Sequence, residues 1–163
     1  VKAFYATASY NWKPYTLETQ TYQTNNGQIS NSDGKAYAIN LMADFDKLSL
    51  GVAYSTIDDE ASIVSGLGNG ADYLYTASWI YGGVYSADTD AYKLSTGYDI
   101  TTDLSFDVIY ASWKTADAPR ASETDFVTTY AFNKNLSTTF VLATYDKLAD
   151  ESYRSRLYAS YKF

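Results

Sequence analysis

The residue types that could carry covalent or acid-base chemistry are few. The chain has 19 Asp+Glu, 12 Lys+Arg, and neither His nor Cys. Without His there is no imidazole base, no Ser-His-Asp triad and no usual zinc site. Without Cys there is no thiolate nucleophile and no disulfide framework. Ser and Tyr are abundant, but nothing supplies a base to activate them. Glu123 and Asp125 stand two residues apart, a spacing that puts both carboxylates on one face of a strand. Such a pair can do acid-base work, and it equally suits a charged pore wall. Asp58-Asp59-Glu60 and Asp88-Thr89-Asp90 could reach a calcium ion. Neither has regular ligand spacing, so both read as solvated loop ends. Gly66-Leu67-Gly68-Asn69-Gly70 approaches phosphate-loop spacing, but no Lys-Ser/Thr pair follows and no helix opens there, so it reads as a loop. Asn135-Leu136-Ser137 matches a glycosylation sequon but falls on a short turn, and is discounted. The net charge of −7 and pI near 4.4 argue against a nucleic-acid partner. The expectation is a protein that is not an enzyme and holds no cofactor or metal.

The elements that would position these residues have a period of two. No i, i+3, i+4, i+7 pattern persists, and no apolar run approaches the roughly 18 residues of a membrane helix. Alternation recurs from Tyr37 to Phe45, Leu48 to Tyr54, Tyr92 to Ile100, Leu104 to Tyr110, Phe126 to Phe132, Leu136 to Leu142 and Leu157 to Phe163. Less regular runs lie near Ala3–Trp12 and Tyr15–Thr24. The pattern predicts about nine strands, most of roughly ten residues, the length a tilted strand needs to cross a bilayer. Val1-Lys2-Ala3-Phe4 is not a signal peptide, so the form is mature or its start is missing.

The connections are expected to alternate between short and long. Short ones lie at Asn11–Pro14, Phe45–Lys47, Ile100–Asp103 and Phe132–Asn135. Three are followed by Leu-Ser: Leu48-Ser49, Leu104-Ser105 and Leu136-Ser137. The long ones are Asn25–Gly34, Asp58–Thr89, Thr115–Ser122 and Asp146–Ser152. A soluble sandwich does not require that alternation; an outer-membrane barrel does. One strand face is Leu, Phe, Tyr, Val, Ile and Ala. The other is mostly small, polar and uncharged, as in a water-filled lumen, rather than the Lys- and Glu-rich surface of a soluble sheet. Aromatic residues make up 17% of the chain, with 18 Tyr. Many lie beside the short turns: Tyr10, Trp12, Tyr15, Phe45, Tyr98, Tyr130, Phe132, Tyr161 and Phe163. Rings with an apolar body and a polar tip form girdles at the membrane interface. A mean hydropathy of −0.30 is no objection, because only alternate residues face lipid.

The last strand, Arg154–Phe163, ends in Phe163 with Tyr161 alternating behind it. It resembles the C-terminal assembly signal of bacterial outer-membrane barrels. The hairpins Asp88–Trp113 and Glu123–Tyr145, with Asn69–Tyr75 as a long-loop segment, are similar to the C-terminal half of epsilonproteobacterial major outer-membrane porins. More loosely they resemble OprD-type porins. The resemblance implies a barrel of about 18 strands, a trimer, and passage of small polar solutes.

Such porins need more than twice this length. With Phe163 at the periplasmic end, counting back through nine strands puts Val1 outside, whereas a complete barrel with a periplasmic start needs an even count. The expectation is therefore an all-β, antiparallel up-and-down transmembrane β-barrel, or about nine strands of a larger one. Residues 1–163 form its one domain, the C-terminal portion of a porin whose other half is a missing partner. A complete barrel of about eight or ten strands is the rival count. The function expected is passive diffusion of small hydrophilic solutes and ions across a bacterial outer membrane. The alternative is a small closed barrel with a structural or adhesive role in its loops. A soluble ligand-carrying barrel such as a lipocalin comes third, since it would need an apolar lumen. Partners are the bilayer with its lipopolysaccharide and copies of the chain itself.

Pore-lining candidates are Glu18, Lys93, Asp107, Asp125, Arg154 and Arg156, which alternation places on the polar face. If Asp107 and Asp125 oppose Arg154 and Arg156 across one pore, they set up a transverse field. The connection Asp58–Thr89, about thirty residues, is too long for a hairpin and too apolar to lie in water. Tyr73–Tyr85 should pack inside the barrel or across its mouth. Its constriction candidates are Asp72, Tyr73, Tyr75, Trp79, Tyr81 and Asp88.

Overall fold

A computed structural model describes residues 2–25, 33–64, 74–80, 83–147 and 150–163. Nine strands follow one another in the order of the chain: β1 (Lys2–Trp12), β2 (Tyr15–Asn25), β3 (Asp33–Phe45), β4 (Leu48–Ile57), β5 (Thr89–Asp99), β6 (Leu104–Thr115), β7 (Ala121–Ala131), β8 (Leu136–Lys147) and β9 (Asp150–Tyr161). They form one sheet in sequence order, and every neighbouring pair is antiparallel. Among the described residues β1 and β9 each have one strand neighbour, so the sheet is open. No described helix is long and apolar enough to cross a membrane, which leaves crossing by strands untouched.

Two of the short turns are chemical copies. Thr101 Oγ1 accepts the amides of Asp103 and Leu104 at 3.2 and 3.1 Å. Asn133 Oδ1 accepts those of Asn135 and Leu136 at 2.9 and 3.1 Å. A short side-chain acceptor folds its own backbone back, and this is the physical content of the repeated polar pair before Leu-Ser. Each short turn is also stitched to the next strand along. The amides of Asp44, Asp99, Ala131 and Lys162 donate to the carbonyls of Pro14, Lys47, Asp103 and Asn135.

The opposite rim departs from strict alternation. β8 runs to Lys147 and β9 begins at Asp150, so only two residues separate them where a long loop was expected. Five residues separate β6 from β7. Strands here continue through polar sequence, with Tyr145 opposite Ser152 and Asp146 opposite Glu151. The ladder is made by backbone groups and persists after the apolar pattern has ended.

The sheet is polar inside and apolar outside. Leu41, Leu50, Val52, Leu94, Phe140 and Leu157 all point outward and are exposed. Around the short-turn rim Tyr10, Trp12, Tyr15 and Phe45 form a chain of ring contacts between 5.5 and 6.3 Å. Tyr130–Phe132 and Tyr161–Phe163 continue it at 4.9 and 5.1 Å. The concave side instead buries Gln20, Thr24, Ser55, Glu123 and Asp125. A soluble sheet would have the reverse arrangement. A strand wall in lipid has this one, with lipid-facing and lumen-facing residues alternating.

Candidate functional site: the concave wall and its docked loop

Register carries side chains across the sheet in rows. One row reads Glu18, Asn40, Ala53, Lys93, Ala111, Glu123, Tyr145, Ser152. The next places Asp125 beside Ile109 on one side and Ala143, then Arg154, on the other. A third runs Asp107, Val127, Val141, Arg156. All six candidates from the polar face thus share the concave side, because the two-residue period of a strand fixes the face.

The segment between β4 and β5 crosses this wall. Its apolar anchor is Ile63, Leu74 and Val84, buried with Tyr22, Ile57, Ala91 and Trp113 in one cluster. Polar contacts run alongside. The Tyr22 hydroxyl donates to the Val64 carbonyl at 2.7 Å, and the Val64 amide donates to Thr24 Oγ1 at 2.9 Å. The Tyr75 amide donates to Gln20 Oε1 at 3.3 Å. The Ser55 and Thr76 hydroxyls meet at 2.5 Å. At the far end the Trp79 amide donates to Asp125 Oδ2 at 3.2 Å and the Ile80 amide to Glu123 Oε1 at 2.9 Å. The Trp79 ring lies 5.8 Å from that of Tyr158 on β9. The strap therefore spans from β2 to β9. Gly34 permits its base to pass close over β3: a Cβ there would stand 2.6 Å from the Ser62 carbonyl oxygen.

The charges on this face divide by exposure. Glu123 and Asp125 are both 0% exposed. Buried carboxylates need donors, and the loop supplies backbone amides. Arg154 and Arg156 are exposed and Lys93 is half-buried. Lys93, Arg156, Tyr75, Trp79 and Tyr158 line a cleft of about 560 Å³ between strap and wall. Arg156 Nη1 donates to the Tyr158 hydroxyl at 3.4 Å. Glu18 is half-buried and accepts the Asn40 amide group at 2.9 Å. Asp107 is half-buried nearer the short-turn end. Within the loop, burial first, then the Glu18 charge and Tyr5, push the Tyr75 hydroxyl up to about 12.

The expected opposed acidic and basic walls take another form. Asp125 and Arg154 lie two strands apart, about 10 Å, and Asp107 and Arg156 three strands apart, about 14 Å. Up-and-down order makes sequential strands neighbours, so both signs share one stretch of wall. Asp125 is covered by the loop, where an exposed lining residue was expected. Asp88 is exposed at the rim, with φ 52°, and its amide donates to the Asp58 carbonyl at 2.8 Å. Asp72, Tyr73 and Tyr81 lie outside the described residues. Asp58 and Glu60 each approach Lys35 Nζ at 3.9 Å. Among the described residues no cluster of three acidic side chains could hold a metal ion. Gln20 and Tyr158 were not among the candidates, although parity with Glu18 and Arg156 marks both as inward.

Fold and site together define a class: part of the wall of a membrane β-barrel with a loop folded onto its inner face. Solved structures of that class match over nearly the whole chain. OccK3 (OpdO) of Pseudomonas aeruginosa superposes with a TM-score of 0.78 at 17% identity, covering 98% of this chain and 48% of its own. OccAB4 of Acinetobacter baumannii gives 0.73 at 17%, covering 98% and 45%. OccK5 (OpdH) of P. aeruginosa gives 0.72 at 16%, covering 96% and 49%. These are OccK/OprD-type outer-membrane porins, and this chain spans about half their length. At such identities the likeness establishes the fold. No family model matches the chain, and no curated protein matches it.

Proposed function

We propose that this chain forms half of the wall of an outer-membrane porin, through which small hydrophilic solutes and ions diffuse passively. The observation that carries this reading is the inverted polarity of the sheet, with a loop docked on its polar, concave side. The loop narrows the lumen. Lys93, Arg154 and Arg156 are its accessible cations, set against Glu18 and Asp107. The OprD-type likeness of the fold supports the reading; kinship with epsilonproteobacterial porins rests on the sequence resemblance alone. Lipopolysaccharide and a trimeric assembly are the partners we propose for the outer face.

Two bare strand edges are not tolerated in lipid, where each unsatisfied backbone group costs several kcal/mol. Further strands must therefore close the sheet. β1 and β9 run in the same direction, since eight antiparallel steps separate them. An all-antiparallel closure takes an odd number of additional strands. A second copy of this chain also adds an odd number, nine, but inserted in the same orientation it would create two parallel seams.

Planar-bilayer recording of the complete barrel tests the function. Discrete ohmic conductance steps are expected, and deletion of Gly66–Gly83 should enlarge them. A detergent-free soluble protein, or a barrel that passes no current, overturns the reading. Unchanged conductance with dissociating oligomers would make the loop an assembly element.

A further inference from the structure

We propose that Glu123 and Asp125 form a latch that couples pore width to charge selectivity. The two carboxylates hold the loop tip in the lumen, and the docked tip withdraws them from it. This rests on the porin reading and extends it.

Three observations meet here. Both carboxylates are fully buried even though the sheet is open on its concave side. Each accepts a consecutive backbone amide of the tip, from Trp79 and Ile80. The cations around them, Lys93 on β5 and Arg154 and Arg156 on β9, keep some access to the cleft or the open concave side. Solutes passing the docked loop therefore meet Lys93 and the two arginines without these acids. When the tip leaves, the narrowing is relieved and two carboxylates join the same stretch of wall. A wider pore is thus also a more cation-preferring one. Glu123 and Asp125 act as positioning residues in the docked state and as lining charges only in the open one.

Backbone donors allow the two effects to be separated. Ile80→Pro removes the backbone donor that the tip supplies to Glu123 and leaves both carboxylates in place. Deleting Ala77–Ile80 removes both backbone donors of the tip and serves if the proline variant does not reach a folded barrel, judged by heat-modifiable gel mobility. Glu123→Gln with Asp125→Asn removes the charges but keeps acceptor oxygens for the tip. Single-channel conductance and reversal potential across a KCl gradient are recorded for each, and for the combination. Ile80→Pro should raise conductance and shift the reversal potential toward cation preference. The amide pair alone weakens the bonds to the tip without breaking them, so it should raise conductance less than Ile80→Pro does and leave the reversal potential unmoved. The combination should keep the raised conductance and lose the shift. A reversal-potential change in the amide pair alone overturns the proposal, because those carboxylates would already face the lumen. So does an Ile80→Pro channel identical to wild type. A barrel with no current in any form overturns the porin reading itself, and this inference with it.

Discussion

Leu74→Ala isolates the anchor of the loop from its latch. Leu74 is 2% exposed and sits with Ile63 and Val84 against Tyr22, Ile57 and Trp113. Truncating a buried Leu costs about 2.7 to 5 kcal/mol, least where the site can collapse around the gap. The low end applies because the anchor packs on one wall of an open sheet, where neighbours can relax. Since about 1.4 kcal/mol is tenfold in an equilibrium constant, docking should weaken roughly 100-fold. Hydrogen exchange reads this directly. The Trp79 and Ile80 amides are protected only while they donate to Asp125 and Glu123, so their protection should fall by about two orders of magnitude. Amides within the β6–β7 ladder should keep theirs, because no strand contact is lost. Unchanged protection at Ile80 would mean that tip and anchor dock independently, and the picture of one continuous strap would fail. Equal loss throughout the sheet would mean that the anchor is part of the barrel's core rather than of a removable loop.

Neutralising Arg154 and Arg156 together should raise cation preference in bilayer recordings, and an unmoved reversal potential would remove them from the conduction path. Gly34→Val should lift the loop base, because its Cβ would stand 2.6 and 2.8 Å from the Ser62 and Ala61 carbonyl oxygens. Faster proteolysis of the loop in an otherwise heat-modifiable barrel is the expected result, and wild-type cleavage rates would contradict it. Tyr75 ionises near 12 in the docked loop against 10.0 in an unconstrained chain. Docking favours its neutral form, so this contribution is complete below pH 10 and is lost as pH rises through about 12. A difference titration of tyrosinate absorbance between wild type and Tyr75→Phe checks it, and a Tyr75 that ionises with the bulk of the tyrosines would refute the assignment.

Strands and faces are local properties, and the sequence alone settles them. A two-residue period is written into each run, so Glu18, Lys93, Asp107, Asp125, Arg154 and Arg156 could be placed on one face without coordinates. The turn chemistry of Thr101 and Asn133 is equally local, since each acts on its own next three residues. The apolar residues of the long loop also announced that it must pack, though not where. Strand ends were harder to read. Polar ladders such as Asp146 with Glu151 form by backbone pairing, which leaves no hydrophobic signature.

What only the tertiary structure decided is which charges on the common face meet the lumen. Asp125 and Arg154 look alike in alternation, yet one is buried under the Trp79 amide and the other is exposed. The difference comes from a segment more than forty residues away in the chain, donating through backbone N–H groups. Every residue type other than proline carries that donor, so side-chain pattern cannot reveal it. The same contact gives Glu123 its role: sequence spacing shows a carboxylate on a strand face, and only the fold brings the loop tip that turns it into a latch.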